Sequence, residues 1–171
     1  GIYTDFYYAI YRSNVVLGSF DLVDDITPVD KTRITAEARF VRAVCHLGAV
    51  KMFAQPFGYT SDNSHLGIPL RLEASQNPFP RASVGEVYTA IIEDFTYAAE
   101  HLPSSNGAYA TSDAANGYLA HMHFLMQDWM KTVSYCDAII SSGHYSLDTD
   151  LNRFESGITN VETIFGIQSF M

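Results

Sequence analysis

The chain has 171 residues, enough for one compact domain with a sizeable core, and 47% of them are apolar and 13% aromatic, which excludes a disordered polypeptide. Nineteen carboxylates against ten Lys and Arg leave a formal charge of −9 with no basic cluster, which argues against nucleic acid as a partner and disfavours anionic membrane surfaces. No run of about 18 apolar residues exists to span a bilayer.

Residues 4–23 read as a first helix capped by Thr4, with Phe6, Ile10, Asn14, Leu17 and Asp21 on one face. Asn14 on that face is expected to form hydrogen bonds within the core. Asp21, Asp24 and Asp25 cluster near the end of this helix, where they could receive arginines from a neighbour; a Ca²⁺ site is the alternative, without EF-hand spacing to support it.

The stretch from Lys31 to Gly58 is the centre of the pattern. Thr35 reads as the N-cap and Pro56 with Gly58 as the stop. One apolar row runs Ile34, Ala38, Val41 and Cys45, and a second runs Phe40, Val44, Leu47 and Val50, so the helix is expected to be covered on more than one side. Arg39 and Arg42, three apart, are expected to play a structural part by pairing with carboxylates of neighbouring helices. Cys45 and Cys136 both fall in apolar helical patterns, match no metal spacing and read as buried free thiols.

Residues 55–82 read as one long loop, and a loop of that length without periodicity is functional or pinned across a surface. Its ligand-binding candidates are Tyr59, Asp62, Asn63 and His65: an aromatic face stacks on a sugar ring while Asn and Asp sort hydroxyls. The competing reading is a solvated loop tip of turn-forming residues. Ser83 and Glu86 form a capping box for a helix whose stripe is Val87, Tyr88, Ile91, Ile92, Phe95, Ala98, Ala99 and Leu102, with Glu86, Glu93, Asp94 and Glu100 on the wet side.

Thr111 to Gly143 reads as a helical hairpin that turns at Gln127-Asp128-Trp129. Leu119, Ala120 and Trp129 fall where a tetratricopeptide repeat places a Leu, a small residue and an aromatic, and Trp129 at the turn reads as packing rather than ligand stacking. Asp150 to Phe154 reads as a short helical turn and Glu162 to Gln168 as a brief strand. No catalytic constellation is visible: His121 and His123 are two apart and point to different faces, and no nucleophile elbow, phosphate loop or helical metal-protease motif occurs. No catalytic residue, metal site or cofactor is therefore expected, and binding is favoured over turnover.

Five ordered segments resemble the SusD/RagB family: the helix of residues 4–23, Ala36-Glu37-Ala38-Arg39-Phe40-Val41-Arg42-Ala43 ending in Lys51-Met52-Phe53, the loop punctuation Pro56-Phe57-Gly58, Gly67-Ile68-Pro69-Leu70-Arg71 and Pro80-Arg81-Ala82-Ser83, the helix after Ser83, and the hairpin. These are surface nutrient-binding lipoproteins of Bacteroidetes. The resemblance implies an all-α fold of antiparallel tetratricopeptide-type hairpins with long loops and a short C-terminal strand. Residues 1–171 would be a single helical domain, incomplete on its C-terminal side and lacking the N-terminal lipidated segment. It further implies a non-catalytic protein of the outer-membrane surface that captures a glycan or peptide and passes it to a TonB-dependent, SusC-like transporter. A helical-repeat scaffold binding only protein or peptide partners is the alternative.

Overall fold

A computed structural model describes residues 1–147 and 161–166 of the chain. Five helices follow one another as α1 (Ile2–Gly18), α2 (Pro28–Phe53), α3 (Val84–His101), α4 (Ser112–Leu125) and α5 (Trp129–Ser142). Neighbours in sequence pack as neighbours in space, α1 on α2, α2 on α3, α3 on α4 and α4 on α5. This is the all-α hairpin architecture expected from the sequence.

The boundaries follow local chemistry. α2 starts a full turn and more before Thr35, because Thr27 accepts the Asp30 N–H at 3.1 Å and Pro28 occupies the first helical position with its φ already set. α1 ends at Gly18, short of residue 23, and only a single 3-10 turn, Phe20–Leu22, continues it. Its start is Ile2, with Gly1 rather than Thr4 at the N-cap. Ser83 and Glu86 form the expected capping box at the start of α3, and Thr111 caps α4 by accepting from Ala114 N–H. Asp128 caps α5, which closes on Gly143 in the left-handed region at φ 70°.

Two short strands lie inside what reads as a continuous loop. β1 (Leu66–Pro69) and β2 (Arg81–Ser83) pair antiparallel, with Leu66 opposite Ser83 and Pro69 opposite Arg81. Gly67 is required there, since a Cβ would come within 3.0 Å of the Ala82 carbonyl oxygen. The expected C-terminal strand is not formed over 162–166, which run as turn and bend. Instead Ile164 and Phe165 turn inward, and the Phe165 ring meets Phe40 edge-on at 5.1 Å. Residues 167–168 of that segment, and the helical turn expected at 150–154, lie outside the described residues.

The core joins Phe40, Ala43, Leu47 and Val50 of α2 to Val87, Ile91 and Phe95 of α3 and to Leu119 and Met122 of α4. The second row of α2 is the buried one, and the first is split: Ala38 is buried, but Val41 is exposed. Gly48 admits Phe6 of α1, whose ring carbons would lie 2.7 Å from a Cβ at that position.

Candidate functional site

The loop between α2 and α3 is fastened to the helices by a buried polar network. Arg42 is 6% exposed and Asp94 3%. Arg42 Nε donates to Asp94 Oδ2 at 2.7 Å and Nη2 to Asp94 Oδ1 at 2.8 Å, the bidentate fork that suits a guanidinium and a carboxylate. Its Nη1 donates to Asn14 Oδ1 at 2.7 Å and to the Leu72 carbonyl at 3.1 Å. Asn14 Nδ2 in turn donates to the carbonyls of Arg71 (3.0 Å) and Glu73 (3.1 Å). One network thus ties α1, α2 and α3 to residues 71–73.

Around it, Tyr7 Oη donates to the Pro69 carbonyl at 2.9 Å, and Arg71 Nη1 and Nη2 donate to the carbonyls of Ser75 and Asn77. His46, buried between Arg42 and the loop, has its pKa pushed down to about 3, first by burial and then by the Arg42 charge. It is therefore neutral, and its Nε2 accepts the Arg71 N–H at 3.4 Å.

The pairing expected of Arg42 is present, but its partner is Asp94, not the acidic cluster. Asp21, Asp24 and Asp25 are exposed and form no ion pair with either arginine. The sequence pattern puts Asp94 on the wet face of α3. It lies instead on the buried stripe between Ile91 and Ala98, and its place three residues after Ile91 was the available signal. Arg39 only approaches Asp94, at 3.9 Å, and rests on the Tyr97 ring at 4.3 Å.

The four loop candidates gather at the C-terminal end of α2, and most of their polar atoms serve the loop itself. Asn63, at φ 55°, accepts the Gly58 N–H through Oδ1 at 2.6 Å, and its own carbonyl accepts from Gly85 N–H. Asp62 accepts the Ser64 N–H at 3.1 Å, the bond that chiefly holds its carboxyl below the usual range. His65 Nδ1 lies 2.9 Å from Thr60 Oγ1, and its Nε2 lies 3.4 Å from the Gln55 carbonyl. Tyr59 remains free: it is 63% exposed, with its ring 5.3 Å from that of His65. Tyr3 packs edge-on against Phe53 at the same end of α2, and both rings are partly exposed. Sequence reasoning did not single out Tyr3 or Phe53, because helical spacing does not tell a partly exposed terminal aromatic from a core one.

Elsewhere, Trp129 begins α5 and is 55% exposed, its ring meeting Phe124 edge-on at 5.5 Å. Cys136 is exposed on α5, contrary to expectation, while Cys45 is half-buried and its thiol is pushed up to about 11 by burial. Among the described residues no group of three or more His, Cys, Asp or Glu could hold a metal ion. No helix among them is long and apolar enough to cross a membrane.

A SusD-like family model, described as starch-binding and associating with the outer membrane, matches residues 1–124. A SusD-like protein of Formosa agariphila is 29% identical over 147 residues, which cover 84% of this chain and 26% of that protein. Among solved structures, a SusD-like carbohydrate binding protein of Bacteroides vulgatus superposes with a TM-score of 0.78 at 22% identity, over 94% of this chain and 35% of that one. A laminarin binding SusD-like protein superposes with a TM-score of 0.76 at 21% identity, over 91% of this chain and 34% of that one. The chain therefore spans between 26% and 35% of the length of these relatives. A family model matched over residues 1–124 of 171, on a fold that superposes along most of its length, makes the chain a member of the SusD-like family.

Proposed function

We propose that this chain is the helical unit of a longer, non-catalytic glycan-binding protein, lipid-anchored at the outer-membrane surface. It captures an oligosaccharide and passes it to a TonB-dependent, SusC-like transporter. Family membership and the description of the family as starch-binding support the carbohydrate reading. The observation that carries it to a place on the chain is Tyr59: an aromatic ring 63% exposed, on a loop stiffened by its own hydrogen bonds. A rigid platform of that kind stacks on a sugar ring at little entropic cost. His65 lies beside it, and Asp62, exposed where Asn63 and His65 are half-buried, offers its carboxylate to a hydroxyl.

Calorimetric titration with starch-type and laminarin-type oligosaccharides tests this reading. Binding is expected, and Tyr59→Ala should weaken it by about three- to tenfold. Unchanged affinity in Tyr59→Ala would remove the loop from the site, and silence towards every glycan would favour the second reading. That second reading is a scaffold for protein or peptide partners. It is favoured by the outer face of α5, where Trp129, Met130, Val133 and Ile140 are all exposed.

A further inference from the structure

A pocket of about 530 Å³ opens between the first half of α2, the 3-10 turn after α1, and α3. Its charged lining is Lys31, Arg39 and Arg42 against Glu93 and Asp94. Asp94 is committed to Arg42 through both of its oxygens. Arg39 makes no hydrogen bond to any described residue: its Nε is buried and unpartnered, and the nearest carboxylate oxygen is 3.9 Å away and already accepts from Arg42. The Tyr97 ring braces the guanidinium from one side at 4.3 Å. Lys31 Nζ sits over Phe20 at 5.3 Å and forms no ion pair among the described residues. In a chain of net charge −9, one cavity thus collects two cations whose donors lack acceptors.

We infer that this pocket binds the carboxylate of an acidic sugar. A guanidinium fixed in one plane offers the parallel N–H pair that a carboxylate accepts, and Lys31 adds a point charge at the mouth. Phe20 and Leu72 supply apolar wall for the sugar ring, and Glu93, exposed and unpaired among the described residues, accepts from a hydroxyl. The site is separate from the Tyr59 loop, since Arg39 and Phe53 are about 20 Å apart along α2 at the rise of an α-helix. The requirement for a carboxylate stands on the pocket alone; the choice of a sugar to carry it rests on the proposed glycan function.

The test follows the Arg39 Nε–H signal in ¹⁵N–¹H spectra of the chain during titration with D-glucuronate, D-glucose and N-acetyl-glutamate. Glucuronate should shift the signal saturably, and glucose should leave it in place. Lys31→Ala, an exposed substitution that does not threaten folding, should weaken glucuronate binding by about three- to fivefold. Arg39→Gln should abolish it, with far-UV circular dichroism reporting that the variant is folded. Absence of a saturable shift, an equal response to glucose, or affinity unchanged in Lys31→Ala would overturn the assignment. An equal response to N-acetyl-glutamate would overturn the sugar and leave a site for peptide carboxylates. Retention of the glucuronate response in Tyr59→Ala, with or without neutral-glycan binding, separates failure of the loop reading from failure of this one.

Discussion

Asp94→Ala tests whether the Arg42 network holds the fold. The substitution leaves a guanidinium that is 6% exposed without its counter-ion and cancels two charge-assisted bonds of 2.7 and 2.8 Å. Losing one partner of a buried ion pair costs about 3–5 kcal/mol, a large share of the roughly 5–15 kcal/mol that holds a domain together. Arg42→Met is costly for a second reason, because it also strips the bonds to Asn14 Oδ1 and the Leu72 carbonyl. Those acceptors are then left with about 1–3 kcal/mol each of uncompensated burial wherever water cannot reach them. Urea unfolding followed at 222 nm gives the midpoint and slope for both single variants and the double variant. The double variant should cost less than the sum of the singles by at least about 2 kcal/mol, the signature of direct coupling. Additivity within about 0.5 kcal/mol, or an Asp94→Ala cost near that of an ordinary surface change, would refute the reasoning.

Gly48→Ala should be destabilising on balance: the new Cβ would lie 2.7 Å from the Phe6 ring carbons, which must shift at a cost of about 1–3 kcal/mol, against about 1 kcal/mol regained from replacing a helix-interior Gly by Ala. Phe6→Leu in the same background should recover part of that loss in a thermal melt, and a Gly48→Ala stabilised by the full ~1 kcal/mol of helix propensity would refute the close approach. His46 makes stability depend on pH. Its folded pKa, about 3, lies below the unfolded value of about 6.5, so between them the unfolded chain binds the extra proton. That stability is complete above about pH 6.5 and falls by about 1.4 kcal/mol per unit as the pH drops further towards 3. Denaturant midpoints at pH 7 and pH 5 should therefore differ more for the wild type than for His46→Gln. Equal differences would show that His46 is protonated in the folded chain.

Helix chemistry that acts over three or four residues was legible without coordinates. The Ser83–Glu86 capping box and the Asp128 turn both sit where their side chains reach a nearby N–H. The start of α2 is hidden from the apolar pattern, which begins later than the capping chemistry of Thr27 and Pro28. The identity of the Arg42 partner needed the third dimension: Asp94 is 52 residues away, and a carboxylate beside Glu93 reads as solvated until α2 covers it. β1 and β2 escaped notice because four and three residues, one of them proline and one glycine, carry no alternation to detect. At the loop, residue types pointed to sugar chemistry, but they could not tell that Asn63 and His65 would direct their polar atoms inward. That depends on the left-handed backbone of Asn63, which follows from the path of the whole loop.

The strap from Pro69 to Asn77 is gripped almost entirely by its peptide oxygens. Tyr7, Asn14, Arg42 and Arg71 reach the carbonyls of residues 69, 71, 72, 73, 75 and 77. Every amino acid carries that oxygen, so, Arg71 apart, whose own side chain holds residues 75 and 77, the fastening is indifferent to which side chains the strap displays. Leu72, Glu73, Ala74, Gln76 and Asn77 are all exposed. Their replacement changes what the surface presents to a visitor while the anchorage remains intact. The helices act as a frame into which a differently worded strap can be set, so recognition and folding draw on separate atoms of the same residues.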